Sequence, residues 1–275
     1  MQWVPQSSAL GGRNISLFNN DIALFNDNPA LLRAEHHGNI MANFTSIAPT
    51  IHGLFGAGAY HHENLNTTFG LGIAHLQYGN EIQTDAAGNI TGNFTAYDQM
   101  ISMAAARSYG ERWFYGASLK FINSRYGAYT SMGVAADVGI NYYDEESMIQ
   151  AGFVAKNMGV QLKSYANQPE DLPFDMLLGV SKQLEKAPIR FSLTAQRLHQ
   201  YNILYKDETF ELDNYGNTIK NGFGTNLMSH LIAGTEVFLG EKVVVSVGYN
   251  FLRRRELQIA NLANGLTGFG YGIKL

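Results

Sequence analysis

Val243-Val244-Val245-Ser246-Val247-Gly248-Tyr249-Asn250-Phe251 decides the fold. Successive side chains of a strand point to opposite faces, so Val243, Val245, Val247, Tyr249 and Phe251 share one face, and Val244, Ser246, Gly248 and Asn250 share the other. The first face suits lipid and the second a crowded or wet interior. The same division separates Trp113, Tyr115, Ala117, Leu119 and Phe121 from Gly116, Ser118 and Lys120. It separates Val134, Ala136, Val138, Ile140 and Tyr142 from Asp137, Gly139 and Asn141, and it returns in Thr267, Phe269, Tyr271, Ile273 and Leu275 against Gly268, Gly270, Gly272 and Lys274.

Working outward, about twelve such segments are visible: 40–47, 52–60, 67–78, 98–109, 113–123, 131–142, 148–157, 174–184, 189–200, 230–239, 243–253 and 267–275. Each approaches the roughly 9 to 11 residues of a tilted membrane strand. Connections near Glu63-Asn64, Glu111, Asp144-Glu145-Glu146, Glu185-Lys186 and Gly240-Glu241-Lys242 are short; those at 79–97, 124–130, 158–173, 201–229 and 254–266 are mostly long. Bacterial barrels join strands by short periplasmic turns and longer extracellular loops, so the pattern predicts a transmembrane antiparallel β-barrel in a bacterial outer membrane, long loops outside.

Composition agrees. The 275 residues are 45% hydrophobic and 15% charged, with 29 Gly, 15 Tyr, 16 Phe and no Cys. No apolar run is long enough for a transmembrane helix. A mean hydropathy of -0.13 does not exclude a membrane, because a barrel places its apolar residues on every second position. The net charge of -4 and scattered Lys and Arg exclude nucleic acid as a partner.

Residues 1–39 are rich in turn-formers, at Gly11-Gly12, Asn19-Asn20-Asp21 and Asn26-Asp27-Asn28-Pro29, around short apolar pieces. They read as a hatch or plug ahead of a barrel spanning 40–275, where irregular backbone is tolerated against protein or water. Asn28-Pro29-Ala30 supports two readings: a helix boundary with Pro in its first turn, or a hatch element closing a lumen. Met1-Gln2-Trp3-Val4-Pro5 shows no signal peptide, and Gly272-Ile273-Lys274-Leu275 stops in strand-like sequence without a terminal aromatic residue; the chain is therefore expected to be truncated at both ends.

Lys120, Asp137, Lys156, Arg190, Glu236 and Lys274 fall on the lumenal face, where charges of both signs pair; facing lipid they would each cost roughly 2 to 4 kcal/mol. His36-His37 and His61-His62 read as solvated turn residues, since neighbours on a strand diverge and no Cys, Asp or Glu completes a metal-ligand spacing. His52, His75, His199 and His230 lie in no nucleophile elbow, so no catalytic, cofactor or metal residues are expected. Arg253-Arg254-Arg255 reads as a strand end, either solvated or meeting lipopolysaccharide phosphates. Asp85 to Asn89 and Asp213-Asn214-Tyr215-Gly216-Asn217 read as outward hairpins, with Asp85, Asn89, Tyr215 and Asn217 as partner-contact positions.

Ala9-Leu10-Gly11-Gly12-Arg13-Asn14 followed by Asp27-Asn28-Pro29-Ala30-Leu31-Leu32 resembles the start of the FadL-like barrels. Residues 84–98, Lys156-Asn157-Met158-Gly159, Leu172-Pro173-Phe174 and Ala187-Pro188-Ile189-Arg190 resemble the PorQ family of the Bacteroidota type IX secretion system. That resemblance spans most of the chain. It implies a FadL-like barrel of fourteen strands, of which about twelve are visible, with an N-terminal hatch. It also implies a non-catalytic anchor for a PorZ-like surface protein, beside the PorU sortase and PorV, with outer-membrane lipid or lipopolysaccharide as a further contact. The alternative is a FadL-like transporter of hydrophobic small molecules or fatty acids, which requires an apolar pocket and a kinked strand; a barrel hydrolase is a third.

Overall fold

In the computed structural model, which describes residues 3–165, 169–203, 222–240, 242–259 and 264–275, the chain forms one antiparallel sheet wrapped around its own N-terminal segment. The twelve strands are β1 (Ile40–Ala48), β2 (Ile51–His62), β3 (Thr67–Thr84), β4 (Ile90–Tyr109), β5 (Trp113–Tyr126), β6 (Tyr129–Asp144), β7 (Ile149–Lys163), β8 (Asp175–Gln183), β9 (Ile189–Ala195), β10 (Leu231–Leu239), β11 (Val243–Asn250) and β12 (Phe269–Lys274). Each pairs with its neighbour in sequence, from β1 to β12. Twelve strands meet the count from alternation; the fourteen implied by resemblance are not reached among the described residues.

The period-two pattern sets the two surfaces. Leu54, Leu71, Ile73, Met103, Leu119, Val138, Leu178 and Phe191 face outward and stay exposed, forming an apolar belt. Such a belt is costly in water and matched to hydrocarbon. Trp113 and Tyr142, with rings 4.9 Å apart, lie near the ends joined by short turns. Inward positions are small or polar: Ser102, Ser118, Asp137, Ser181, Thr194 and Ser246 are all buried.

What buries them is residues 3–39. This segment holds α1 (Pro5–Ala9) and single-turn 3-10 helices at Ile22–Asn26, Pro29–Leu31 and Ala34–His36. Phe25, Leu24, Leu31 and Leu32 pack against Phe55, Ala57, Ala59, Ala74 and Ala104 on β2 to β4, and Ile15 packs against Val154 and Leu177 on β7 and β8. The hydrophobic core thus lies between plug and wall. Inward glycines let the two backbones meet: a Cβ at Gly139 would overlap the Asn28 amide, and one at Gly248 would overlap the Leu10 backbone. Gly11 and Gly12, at φ +91 and +119, turn the chain out of α1 through a conformation that a side chain would strain.

Several expectations change. Residues 79–97 are not a long loop: β3 and β4 pair on to Thr84 and Ile90, leaving a turn at 85–89. Asn80 to Thr91 are exposed throughout, so this stretch loses the apolar-polar alternation that marks a half-buried strand. Residues 124–130 hold a two-residue turn, with Gly127 at φ +57. Phe251 and Arg253-Arg254-Arg255 lie in a helix, α3 (Phe251–Ile259), rather than in a strand, and β9 ends at Ala195. His36 is buried, not solvated. Tyr215 and Asn217 lie outside the described residues.

Because the plug backbone occupies the space beside Gly139, Gly139→Ala is expected to cost about 1–3 kcal/mol, as overpacking does. Gly92→Ala, which meets nothing within 4 Å, is expected to be near neutral. Thermal unfolding in detergent, followed by the mobility shift of the folded barrel, separates the two.

Candidate functional site

Of the charges that the sequence places inside the barrel, Lys120, Asp137, Lys156, Arg190 and Glu236 meet partners on the wall or the plug, whereas Lys274 is exposed and forms no ion pair among the described residues. Lys120 Nζ on β5 donates to Asp137 Oδ2 on β6 at 2.5 Å and to Asn157 Oδ1 on β7 at 3.2 Å, while Asn157 N–H donates to Asp137 Oδ1 at 2.8 Å. A bulge makes this possible: Asp137 stands between the pairs Ala136↔Met158 and Val138↔Ala155, facing both Lys156 and Asn157. Asn157 takes φ +58 to turn its N–H inward. Arg190 Nε on β9 donates to Glu236 Oε2 on β10 at 2.8 Å, and Gln6 of α1 donates to the other carboxylate oxygen at 2.7 Å.

The structure joins Lys120 to Asp137 and Arg190 to Glu236 as two separate centres. Gly11, Asn28, Pro29 and Ala30 seat the plug. Asn28 Oδ1 accepts from Ala30 N–H at 3.0 Å, capping the Pro29–Leu31 turn, while Nδ2 donates to Ile15 O at 2.9 Å and Ile140 O at 3.3 Å. Both readings of the tripeptide therefore describe one residue set, a helix start that is also a fastener to β6. Gly11 O accepts from Asn250 Nδ2 at 3.1 Å, and Gly12 N–H donates to Ser7 O at 2.8 Å. Asp85 accepts from Asn89 Nδ2 at 2.9 Å, from Asn89 N–H at 2.8 Å and from Ala87 N–H at 2.9 Å, which ties the β3–β4 turn and holds its carboxyl below the usual range.

Plug residues outside the expected set complete the network, joined from β7 by Lys156, which the sequence also places on the inner face. Arg13 pairs with Asp175 on β8. Lys156 donates to the carbonyls of Asn26 and Asp27. Ser7 Oγ donates to Asp27 at 2.5 Å; burial pushes the Asp27 carboxyl up, and Lys156, then Ser7, pull it back. Arg33 is 4% exposed, lies 3.3 Å from the Phe114 ring centroid and 4.2 Å from that of Phe18, and donates to Asn141 Oδ1 at 2.6 Å. Burial lowers it to about 10, so it stays a cation at neutral pH. The available sequence signal was the presence of charged residues among the short apolar pieces of 1–39.

Over the plug lies a chamber. Its floor, about 320 Å³, is lined by Trp3, Asn26, Asp27, Lys120 and Lys156, and its mouth, about 380 Å³, by Tyr126, Tyr165, Glu170 and Asp171. Asp98, Ile122, Ser124 and Pro173 border both. On the outer face of the same wall is an apolar groove of about 610 Å³, lined by Ile101, Met103, Leu119, Phe121, Val134 and Met158. Lys120 borders the groove and the chamber floor alike.

With this geometry in hand, similarity to known proteins bears on the fold. No protein-family model matches the chain, and no curated protein matches it. Among solved structures it is similar to the TodX deltaS2S3 mutant monoaromatic hydrocarbon channel, with a TM-score of 0.55 and 13% identity over 90% of this chain and 82% of that one. It is also similar to the CymD monoaromatic hydrocarbon channel, with a TM-score of 0.51 and 14% identity over 90% and 83%. The fold is that of a FadL-like barrel. In this FadL-like chain the wall bulge falls between β6 and β7, beside the Lys120–Asp137 pair.

Removing one partner of a buried ion pair leaves an uncompensated charge, so Asp137→Ala is expected to cost about 3–5 kcal/mol; Lys120→Met combined with Asp137→Leu recovers most of it, read by thermal unfolding. His36 supplies a pH dependence. Its Nδ1 accepts from Arg33 N–H at 3.1 Å, and burial lowers its affinity for a proton from the ordinary 6.5. The unfolded chain therefore binds the proton first as pH falls, so stability present above pH 6.5 is lost below it. In His36→Gln that acid-side loss is expected to shrink, measured as the thermal midpoint across pH 5 to 8, roughly the range in which His titrates.

Proposed function

We propose that the chain is an outer-membrane barrel that admits small, largely apolar molecules over its plug and releases them sideways into the membrane at the β6–β7 bulge. One observation carries this reading: a single residue, Lys120, lines both the lumenal chamber and the apolar groove on the outer face. The bulge locally interrupts the β6–β7 ladder, so widening the wall there breaks fewer backbone hydrogen bonds than opening a regular pair. An apolar body leaving through that point enters a groove of its own polarity. The hydrocarbon channels that share the fold support the same direction. On this reading the end carrying the 85–89 turn and the chamber mouth faces the cell exterior, and the short turns face the periplasm.

A second reading rests on the β3–β4 hairpin. Residues 80–84 pair only with β4 and 90–94 only with β3, past the ladders of the neighbouring strands, so the tips of both arms stand clear of the barrel wall. A free-standing hairpin is suited to holding a surface protein, as the PorQ resemblance implies: a PorZ-like partner near PorU and PorV, with the barrel as a non-catalytic anchor.

The chain has no Cys, so Ala136→Cys with Met158→Cys, register partners beside the bulge, can staple the wall without background. Cells relying on this chain are expected to take up radiolabelled toluene with the pair reduced, and to lose most uptake when it is oxidised. Undiminished uptake in the oxidised form would refute sideways release. No uptake in either state, with a surface protein co-purifying, favours the anchor.

A further inference from the structure

The chamber is polar as well as aromatic, and its charges are unequally satisfied. Every cation that borders the floor is engaged. Lys120 is held by Asp137 and Asn157, Lys156 by the Asp27 carboxylate at 4.0 Å as well as by the carbonyls of Asn26 and Asp27, and Arg13 by Asp175. The carboxylates toward the mouth are not: among the described residues, Asp98, Glu170 and Asp171 form no ion pair. Asp98 accepts from Tyr78 Oη at 2.6 Å, a hydrogen bond that orients the carboxylate and leaves its charge in place. Among the described residues no Lys, Arg or His lines the mouth.

Tyrosine rings stand beside these carboxylates. Tyr78 and Tyr126 lie 5.5 Å apart, and Tyr126 and Tyr165 lie 5.6 Å apart, edge to face. Ring faces attract a cation through their quadrupole, and the attraction grows where water is partly excluded. At the floor, independently, Asn26 is 6% exposed and its Nδ2 has no hydrogen-bond partner among the described residues. A buried amide donor without a partner is a cost that an acceptor on a bound molecule would offset.

We infer that the chamber binds a small organic amine, its ammonium among Asp98, Glu170 and Asp171 beside the tyrosine rings, its apolar body in the chamber, and a hydrogen-bond acceptor at its far end toward Asn26. This names the ligand class of the conduit and rests on that reading. A carboxylate such as a fatty acid meets no unengaged cation at this site and is disfavoured by the three acids. A neutral hydrocarbon leaves both Asn26 and the acids unpaired.

Tyramine, para-ethylphenol and para-hydroxyphenylacetate share a ring and a hydroxyl and differ in charge, so they isolate the selection. In calorimetric titration of the full chain in detergent, tyramine is expected to bind at least about tenfold tighter than para-ethylphenol. Para-hydroxyphenylacetate is expected to be weakest, and added salt to narrow the gap. Asp98→Asn still accepts from Tyr78; it should remove most of the tyramine preference and leave para-ethylphenol unchanged. Glu170→Gln with Asp171→Asn at the exposed rim provides the same test if Asp98→Asn folds poorly. Equal or tighter binding of the acid or the neutral phenol, or an undiminished preference in both variants, overturns the inference. Liposomes carrying the chain separate it from the conduit reading. Selective binding of tyramine without passage overturns the conduit alone; passage of para-ethylphenol without tyramine preference overturns the amine site alone.

Discussion

A strand that meets hydrocarbon must find a partner for every backbone N–H and C=O within the protein. The nearest-neighbour ladder from β1 to β12 follows from this, and so does the division of side chains. With the outward half of each strand given over to apolar residues, polar and small ones have only the interior left. Twelve strands enclose more space than such residues fill. The plug is the answer to that surplus, and most of what else is notable in the molecule lies where plug and wall meet.

That interface is held by unlike forces around its circumference. On the β2–β4 side it is apolar, with Phe25 and Leu31 against Phe55 and alanines. Toward β7 and β8 it is ionic, with Lys156 and Arg13 crossing to opposite partners. At β5 and β6 a guanidinium lies against aromatic rings, with one amide oxygen and, among the described residues, no carboxylate bonded to it. The apolar side is insensitive to salt and protons, whereas the ionic and aromatic sides respond to both. A plug fastened this way can loosen along one flank while the other stays packed.

The strands were legible because period two survives wherever one face meets lipid and the other protein. Legibility ended where that asymmetry ended: in the β3–β4 extension both faces meet solvent, and its Asn, Gln, Thr and Gly read as loop. The Lys120–Asp137 and Arg190–Glu236 positions could be placed on the inner face by parity, but not paired, since pairing depends on register. Still less readable were Arg13 with Asp175 and Arg33 with Asn141, which lie 162 and 108 residues apart and belong to elements of different kind. His36 read as a turn residue, and its burial is a tertiary effect of the plug seating against β2, β3 and Tyr143. Resemblance pointed to the FadL-like fold correctly, and the structural likeness, at 13% and 14% identity, speaks to fold.

The plug is made before the strands of the sheet, yet Gly11 is bonded to Asn250 and Gln6 to Glu236, 239 and 230 residues later. Contacts of such separation carry a large loop-closure cost and form only after the intervening chain is ordered. Strand pairing, by contrast, is local throughout, each hairpin adding to the one before. Folding must then run as a zipper of neighbouring hairpins with the N-terminal segment waiting unsatisfied. The barrel acquires its interior last, from a segment synthesised before any of its strands.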